Sequence, residues 1–540
     1  MFKPLFVCLH KIVAIPSQVA DLCQNLRLPR HARQTQNLAN HSQNPKPTKL
    51  LHLASDSYRG GAESVFRNTI EQTLTLQNYE VFVASCDTPK SLPKGIDSKH
   101  FLALDDWASY PKPIGALKYV FNLKNYRILK TFLFTIRPDI IHTQNYLSRL
   151  SPSVLFALRS YKRKFPHTKL IFTQHNMDSC ANGSHCNYAK LAYCTQCVGH
   201  SKLRIAFKNC DRRGRVYSVL KAVRSLFFRG FLLDEKDLFD EIVCVGEFQY
   251  QRHKEDGWDI RKMRIVQNPI EMQFYNPAVS LAQKQDIIVI WGRVATEKNH
   301  AMLINAFAKL REQAEFSHYT LCIIGDGDER RALQSLAQNL FGVDQKCCQF
   351  LGRLEFGALR EVLLRAKLAV FPSLWTECFG LVLVEAIIGG VIPLASGMGA
   401  YKDTIEQFCG YTFEFVYNED KEGVAWHGDP FAQNVENLCA KMSEILRSYP
   451  VVWQEFESKR AGIVRDLLAQ QYLTKLVEIY RLGGGAFISI KILLFRESHA
   501  IFASQKSLHK FHTIQNLAHL PQGKSLAGAC VDSKRWQYVA

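Results

Sequence analysis

The chain has 540 residues, 47% of them hydrophobic, too long for one ordinary core and suited to two or three domains. Lys and Arg exceed Asp and Glu by 68 − 49 = 19, which favours acidic partners such as phosphorylated small molecules, anionic lipid surfaces or nucleic acid. No apolar run reaches the ~18 residues of a membrane span, His10 and Lys11 interrupt the apolar start against a secretory leader, and 16 cysteines scattered over this length read as reduced cytoplasmic thiols rather than a disulfide framework.

Residues 1–47 are polar, lack an apolar period and read as a disordered extension. Order begins with LLHLAS (50–55), a short apolar strand that runs through the Gly60–Gly61 pair into a helix, the first unit of an α/β domain. Strands at 79–85, 138–145, 168–176, 240–248 and 264–271 follow, alternating with helices such as 123–137. This alternation predicts a parallel, doubly wound sheet. It restarts at DIIVIWGRVATEKN (286–299), passes through a helix at 300–315, and continues in YTLCIIGDGDER, CCQFLGRL, LAVFPS and GGVIPLAS. The prediction is an α/β chain of two Rossmann-like halves, 48–278 and 279–482, facing each other across a cleft at the carboxyl ends of their strands. A basic tail, 483–540, has no assigned role.

The stretch FPSLWTECFGLVLVEAIIGG (371–390) carries two glutamates in apolar surroundings, and carboxylates are costly to bury without a partner. Glu377 falls in the loop after a strand at 367–373; Glu385 falls one turn into a helix closed by Gly389–Gly390. The free amides at that helix start, around Phe379, Gly380 and Leu381, suit an anion. A nucleotide-sugar satisfies all three features, with phosphates on the amides and hydroxyls on the two carboxylates; the bland alternative is a pair of solvated surface charges. Upstream, Arg293 and Lys298 could bracket a diphosphate, so no divalent metal is expected for catalysis. Gly325 and Gly327 read as a turn that lets backbone approach a base or ribose, with a cation held by Asp326 and Asp328 as the rival. In the first half, amides at Gly60 and Gly61 could approach a phosphate or sugar, and His175 ends a strand at the same cleft.

Taken in order, these pieces resemble the retaining glycosyltransferases of the GT-B fold, family GT4, over about 50–480: GR with Lys298, then GDG, then Glu377 and Glu385 inside PSLWTECFGLVLVEA, with GGAE and QHN in the first half. The resemblance implies that Arg293 and Lys298 bind a diphosphate, Glu385 the ribose and Glu377 the donor sugar, with His175 near the reacting centre. It also implies retention through attack from the leaving-group face, without a covalent enzyme nucleophile. One departure stands out. Where the family commonly has a glycine pair followed by a glutamate, this chain has Gly399, Ala400 and Asp403.

Between Cys180 and Cys210 lie five cysteines, and Cys194-x2-Cys197 is a good zinc half-site that Cys180 and Cys210 could complete. Cys186 or His185 could replace one ligand, and unmetallated reduced cysteines are the alternative. Some GT4 members resemble this region, so a structural zinc ordering an acceptor-side insertion is expected. The segment 201–230 that follows is basic and interleaved with Leu, Val and Phe, which suits an anionic membrane surface. The reading as a whole is an enzyme moving a sugar from a nucleotide-diphosphate-sugar to a glycan or lipid-linked acceptor, in cell-surface polysaccharide or lipopolysaccharide synthesis. It would be cytoplasmic, peripheral on the inner membrane face, with no nucleic acid expected. A GT-B sugar-nucleotide epimerase, or a basic zinc- and nucleic-acid-binding protein, is the alternative.

Overall fold

Strands of a parallel sheet are covered on both faces, so they read as unbroken apolar runs rather than alternating ones. The computed structural model describes residues 46–481 apart from 56–59, 89–90, 92, 189, 231, 278, 343, 418–429 and 469–471. The described fold belongs to the unit that begins at Thr48. The extension read as disordered, save its last two residues, and the basic tail lie outside the described residues.

The apolar runs of the first half form β1 (Thr48–Leu53), β2 (Tyr79–Ser85), β3 (Phe101–Ala103), β4 (Ile140–Gln144) and β5 (Lys169–Gln174). A small antiparallel ribbon, β6 (Cys186–Asn187) with β7 (Ala192–Tyr193), precedes β8 (Glu241–Cys244) and β9 (Met263–Ile265). Those of the second half form β10 (Gln285–Trp291), β11 (Thr320–Ile324), β12 (Cys348–Gly352), β13 (Ala366–Phe371), β14 (Ile392–Ser396) and β15 (Tyr411–Phe413). The two large sheets run β3-β2-β1-β4-β5-β8-β9 and β12-β11-β10-β13-β14-β15, parallel throughout. Each order reverses beside its first strand, between β1 and β4 and between β10 and β13, and such switch points open a crevice at the carboxyl ends.

Neighbouring residues on a strand face opposite ways, and the first sheet shows it. Leu51, Ile141, Phe172 and Ile242 join one core; Leu50, Ile140, Ile171 and Val243 join another, against Tyr472, Leu476, Ile479 and Tyr480. The helix Tyr472–Tyr480, placed by its sequence position with the second half, therefore closes the first. Its apolar side is the cover that the outer face of the first sheet lacks.

Polar bonds fix that docking. His52 and His142 are register partners on β1 and β4 and are fully buried. His142 shares hydrogen bonds with the hydroxyls of Tyr480 and Thr173, both 2.7 Å, and His52 with that of Thr73 at 2.9 Å. The Tyr472 hydroxyl meets that of Thr69 at 2.6 Å. Burial holds His52 down at about 3 and His142 well below its ordinary value. A histidine depressed in the folded state adds stability that is full above about 6.5 and is lost as pH falls through its folded pKa. Denaturant midpoints are therefore expected to drop as pH falls below about 6.5. At pH 7, Tyr480→Phe should cost about 1–3 kcal/mol and Leu476→Ala about 2–5 kcal/mol, with unchanged denaturant slope.

Candidate functional site

A cleft of about 970 Å³ runs between the carboxyl ends of the two sheets. Its lining includes Gly60, Gly61 and His175 from the first half and Arg293, Lys298, Gly325, Glu377, Phe379, Gly380 and Leu381 from the second. Most of the residues singled out from sequence are thus brought together.

Backbone bonds set this geometry. The loop after β10 and the loop after β13 are tied where the Glu297 carbonyl accepts from the Leu374 amide at 2.9 Å and the Ser373 hydroxyl at 3.0 Å. That tie places Lys298 against Glu377, whose Oε1 accepts from Nζ. Arg293 donates to Glu297 at 2.6 Å, with the Glu297 carboxylate buried and the guanidinium about half exposed to the cleft. Glu297 escapes a reading of the sequence, because an acid in a polar loop looks solvated.

Glu385 stands beside the lining rather than in it, its carboxylate accepting from the Trp291 indole at 2.9 Å. Burial raises its pKa to about 7, against the opposing indole bond. The helix behind it runs Leu381–Gly389, as the glycine stop predicts. Gly380 begins that helix at φ +88°, where a Cβ would lie 2.8 Å from the Tyr401 ring; only glycine fits there. Gly325 and Gly327 have a different reason from the one their motif suggests. A Cβ on Gly325 would sit 1.8 Å from the Gly292 carbonyl, and one on Gly327 2.1 Å from that of Val294. These glycines let two loops interlock, and Gly327 is not among the lining residues. Asp326 pairs with Arg330 at 3.6 Å, and Asp328 is exposed.

In the first half, the Glu63 carboxylate lies 2.8 Å from where a Gly60 Cβ would be, and a Cβ on Gly61 would lie 3.4 Å from the Leu381 side chain of the second half. His175 meets Gln144 at 3.0 Å, and burial lowers its pKa to about 4, so the imidazole is neutral at pH 7. At the departure from the family pattern, Ala400 is buried and Asp403 sits beside the Phe248 amide of the other half. Asp403 joins the two halves there.

Cys180, Cys186, Cys194, Cys197 and Cys210 are all buried in the insertion between β5 and β8. Cys180 and Cys197 share a hydrogen bond. Among the described residues no three His, Cys, Asp or Glu side chains converge to hold a metal ion, and zinc is given no part in the chemistry.

Because the folded pKa of Glu385 is raised, stability is lost as pH climbs from about 4.5 through 7. Glu385→Gln keeps an acceptor for the indole and is expected to raise stability at pH 8 by about 1–2 kcal/mol, after discounting for partial exposure, and to change little at pH 4; melting curves at both values check this.

Two family descriptions match in succession: "Glycosyltransferase Family 4" over residues 59–274 and "Glycosyl transferases group 1" over residues 272–442. A mouse GDP-Man:Man(3)GlcNAc(2)-PP-Dol alpha-1,2-mannosyltransferase is 35% identical over 200 residues, 34% of this chain and 40% of that one. The phosphatidyl-myo-inositol mannosyltransferase of Mycolicibacterium smegmatis is 31% identical over 128 residues, 24% of this chain and 31% of the other. The chain thus spans well under half the length of these relatives. Among solved structures, Anabaena HepE in complex with UDP superposes with a TM-score of 0.52 at 14% identity, covering 80% of this chain and 99% of that one; at that identity the likeness shows the fold. Two successive family matches over paired Rossmann-like halves leave one assignment: the chain belongs to the group 1 glycosyltransferases of the GT-B fold.

Proposed function

We propose that the protein transfers a sugar, with retention, from a nucleotide-diphosphate-sugar to a lipid-linked acceptor at a membrane surface. The carrying observation is that two cations and a carboxylate, Arg293, Lys298 and Glu377, meet on tied loops in one cleft. Each cation is already aimed by an acid, so little side-chain order remains to be gained on binding. Arg293 and Lys298 take the diphosphate and offset the charge that builds on it as the glycosidic bond breaks. The same Lys298 touches Glu377, so the group that takes the sugar hydroxyls is fixed relative to the group that takes the phosphates. Glu385, steadied by Trp291, takes the ribose. Neutral His175 offers a hydrogen bond to the sugar without adding charge. Catalysis then rests on positioning and leaving-group stabilisation.

The lipid acceptor is supported by the named acceptors of the relatives, one dolichol-linked and one a phosphatidylinositol, and by a surface on the first half. Helices Lys112–Val120 and Arg215–Ser225 pack side by side. They expose Ile114, Leu117, Val216, Val219 and Val223, with Phe207 nearby at 83% exposure. Lys112, Arg204, Arg212 and Arg215 are exposed around them. Apolar side chains within a cationic rim fit the headgroup layer of an anionic bilayer. No helix among the described residues is long and apolar enough to cross a membrane.

A melting-temperature panel of nucleoside diphosphates, with and without EDTA, tests the donor site. One diphosphate should stabilise the protein irrespective of EDTA, Lys298→Ala should abolish the shift, and Glu377→Ala should keep it while lowering sugar transfer by about 10²–10³-fold. No shift with any diphosphate would sink the reading. For the surface, Leu117→Glu with Val219→Glu should end co-flotation with anionic vesicles and leave the diphosphate shift intact.

A further inference from the structure

The wall of the cleft opposite the donor cations is also cationic, and no donor role accounts for it. Tyr119 comes from helix Lys112–Val120, Arg212 and Arg213 from the turn before helix Arg215–Ser225, and Lys221 and Arg224 from that helix; all five line the cleft. Of these four cations, two share one acid and two have none. Asp211 pairs with Arg213 at 3.0 Å and Lys221 at 2.8 Å, while Arg212 and Arg224 have no carboxylate partner among the described residues. Asp178, the next carboxylate on this wall, is engaged by Arg229 at 3.3 Å, and Glu63 accepts from Asn145 at 2.8 Å.

Arg224 is only 6% exposed. One of its terminal nitrogens donates to the Leu147 carbonyl at 3.2 Å, and its guanidinium carbon lies 4.1 Å from the centre of the Tyr119 ring. Its buried Nε has no hydrogen-bond partner, and the buried Tyr119 hydroxyl has the Arg213 guanidinium beside it but no acceptor for its own proton. Burial lowers the pKa of Lys221 to about 8, with Arg224 and Arg213 pushing the same way against Asp211. An excess of cations with unmet donors in a confined wall is costly unless an anion completes it.

We propose that this wall is a second anion subsite, which binds the phosphate or diphosphate of the acceptor through Arg212, Arg213 and Arg224, with the Tyr119 hydroxyl as a further donor. The guanidinium groups of Arg212 and Arg224, with the terminal nitrogen that Arg213 does not commit to Asp211, match the several oxygens of a phosphate better than the two of a carboxylate. The proposal rests on the transferase reading: the donor diphosphate occupies Arg293 and Lys298, and the acceptor phosphate occupies the facing wall. The subsite is built on the same two helices that expose Ile114, Leu117, Val216, Val219 and Val223, so a lipid held by that surface would bring its phosphate close.

Equilibrium binding of inorganic pyrophosphate to the full chain separates the two sites. Wild type should show two classes of site. Arg293→Ala with Lys298→Ala should keep the acceptor-side class, and Arg212→Ala or Arg224→Lys should weaken that class by about tenfold or more while keeping the other; exposed Arg212 serves if the buried position fails to fold. Loss of all pyrophosphate binding in the donor-side variant would overturn the subsite and leave the transferase reading standing. Unchanged binding in both Arg212→Ala and Arg224→Lys would also overturn it. Two classes of site without any nucleoside diphosphate shift would remove the donor reading instead, and the acceptor assignment with it. Flotation with phosphatidylcholine vesicles carrying a polyprenyl diphosphate then identifies the source. Capture of wild type but not Arg212→Ala supports a lipid phosphate; equal flotation of both, with the pyrophosphate difference intact, supports a soluble phosphorylated acceptor.

Discussion

The pairing of β10 with β13 is the constraint on which the site depends. These strands lie side by side though 74 residues of chain separate Trp291 from Ala366, because the strand order reverses there. Their carboxyl ends are held level by Trp291 packing edge-on to Phe371, ring centres 4.9 Å apart. Beyond that contact both chains leave as loops. The two loops bond to each other at the Glu297 carbonyl. Glycine at 325 and 327 lets a third loop, from β11, close the packing. The ion pair between Lys298 and Glu377 follows from this arrangement of backbones.

A common plan runs through the charges of the cleft. Acids sit behind and cations in front: Glu297 behind Arg293, Asp211 behind Arg213 and Lys221, Glu235 behind Arg229. Against the cost of burial, the contacts with Arg213 and Lys221 hold the Asp211 carboxyl well below the usual carboxylate range, and each acid fixes where its cation points. Both walls of the cleft therefore present positive charge, and negative groups on two separate molecules would be drawn in together. The neutral imidazole of His175 lies between without adding to either wall.

Much of this was readable in the sequence, because buried parallel strands write themselves as apolar runs and a helix stop is written as glycine. The strands at 79–85 and 169–174 and the helix ending at Gly389 fall where those signals put them. Arg293, Lys298 and Glu377 were legible as charges just past strand ends. Other features had no local signal. Nothing near Gly325 says that the atom it must avoid belongs to Gly292, and nothing near Asp211 says that it serves two cations. The short helix Lys112–Val120 carries Pro113 and Gly115, residues that lower helix propensity, and its contacts rather than its sequence hold it. The five cysteines suggest a zinc site by their spacing, and spacing does not fix how four thiols approach each other. Helix Tyr472–Tyr480 looks like any amphipathic helix; which sheet it would cover is a property of the whole chain.

That last helix gives the molecule an order of assembly. The first sheet is made early in synthesis, yet four of its strands keep an uncovered apolar face until residues 472–480 have left the ribosome. The second half must be synthesised before the first can finish. The chain thus crosses between the halves twice, once after β9 and once before Tyr472, so any opening of the cleft must turn about two connections rather than swing on one. A fragment that stopped at the end of the first Rossmann-like half would not be a smaller working unit but an unfinished one, with His142 facing the place where Tyr480 belongs.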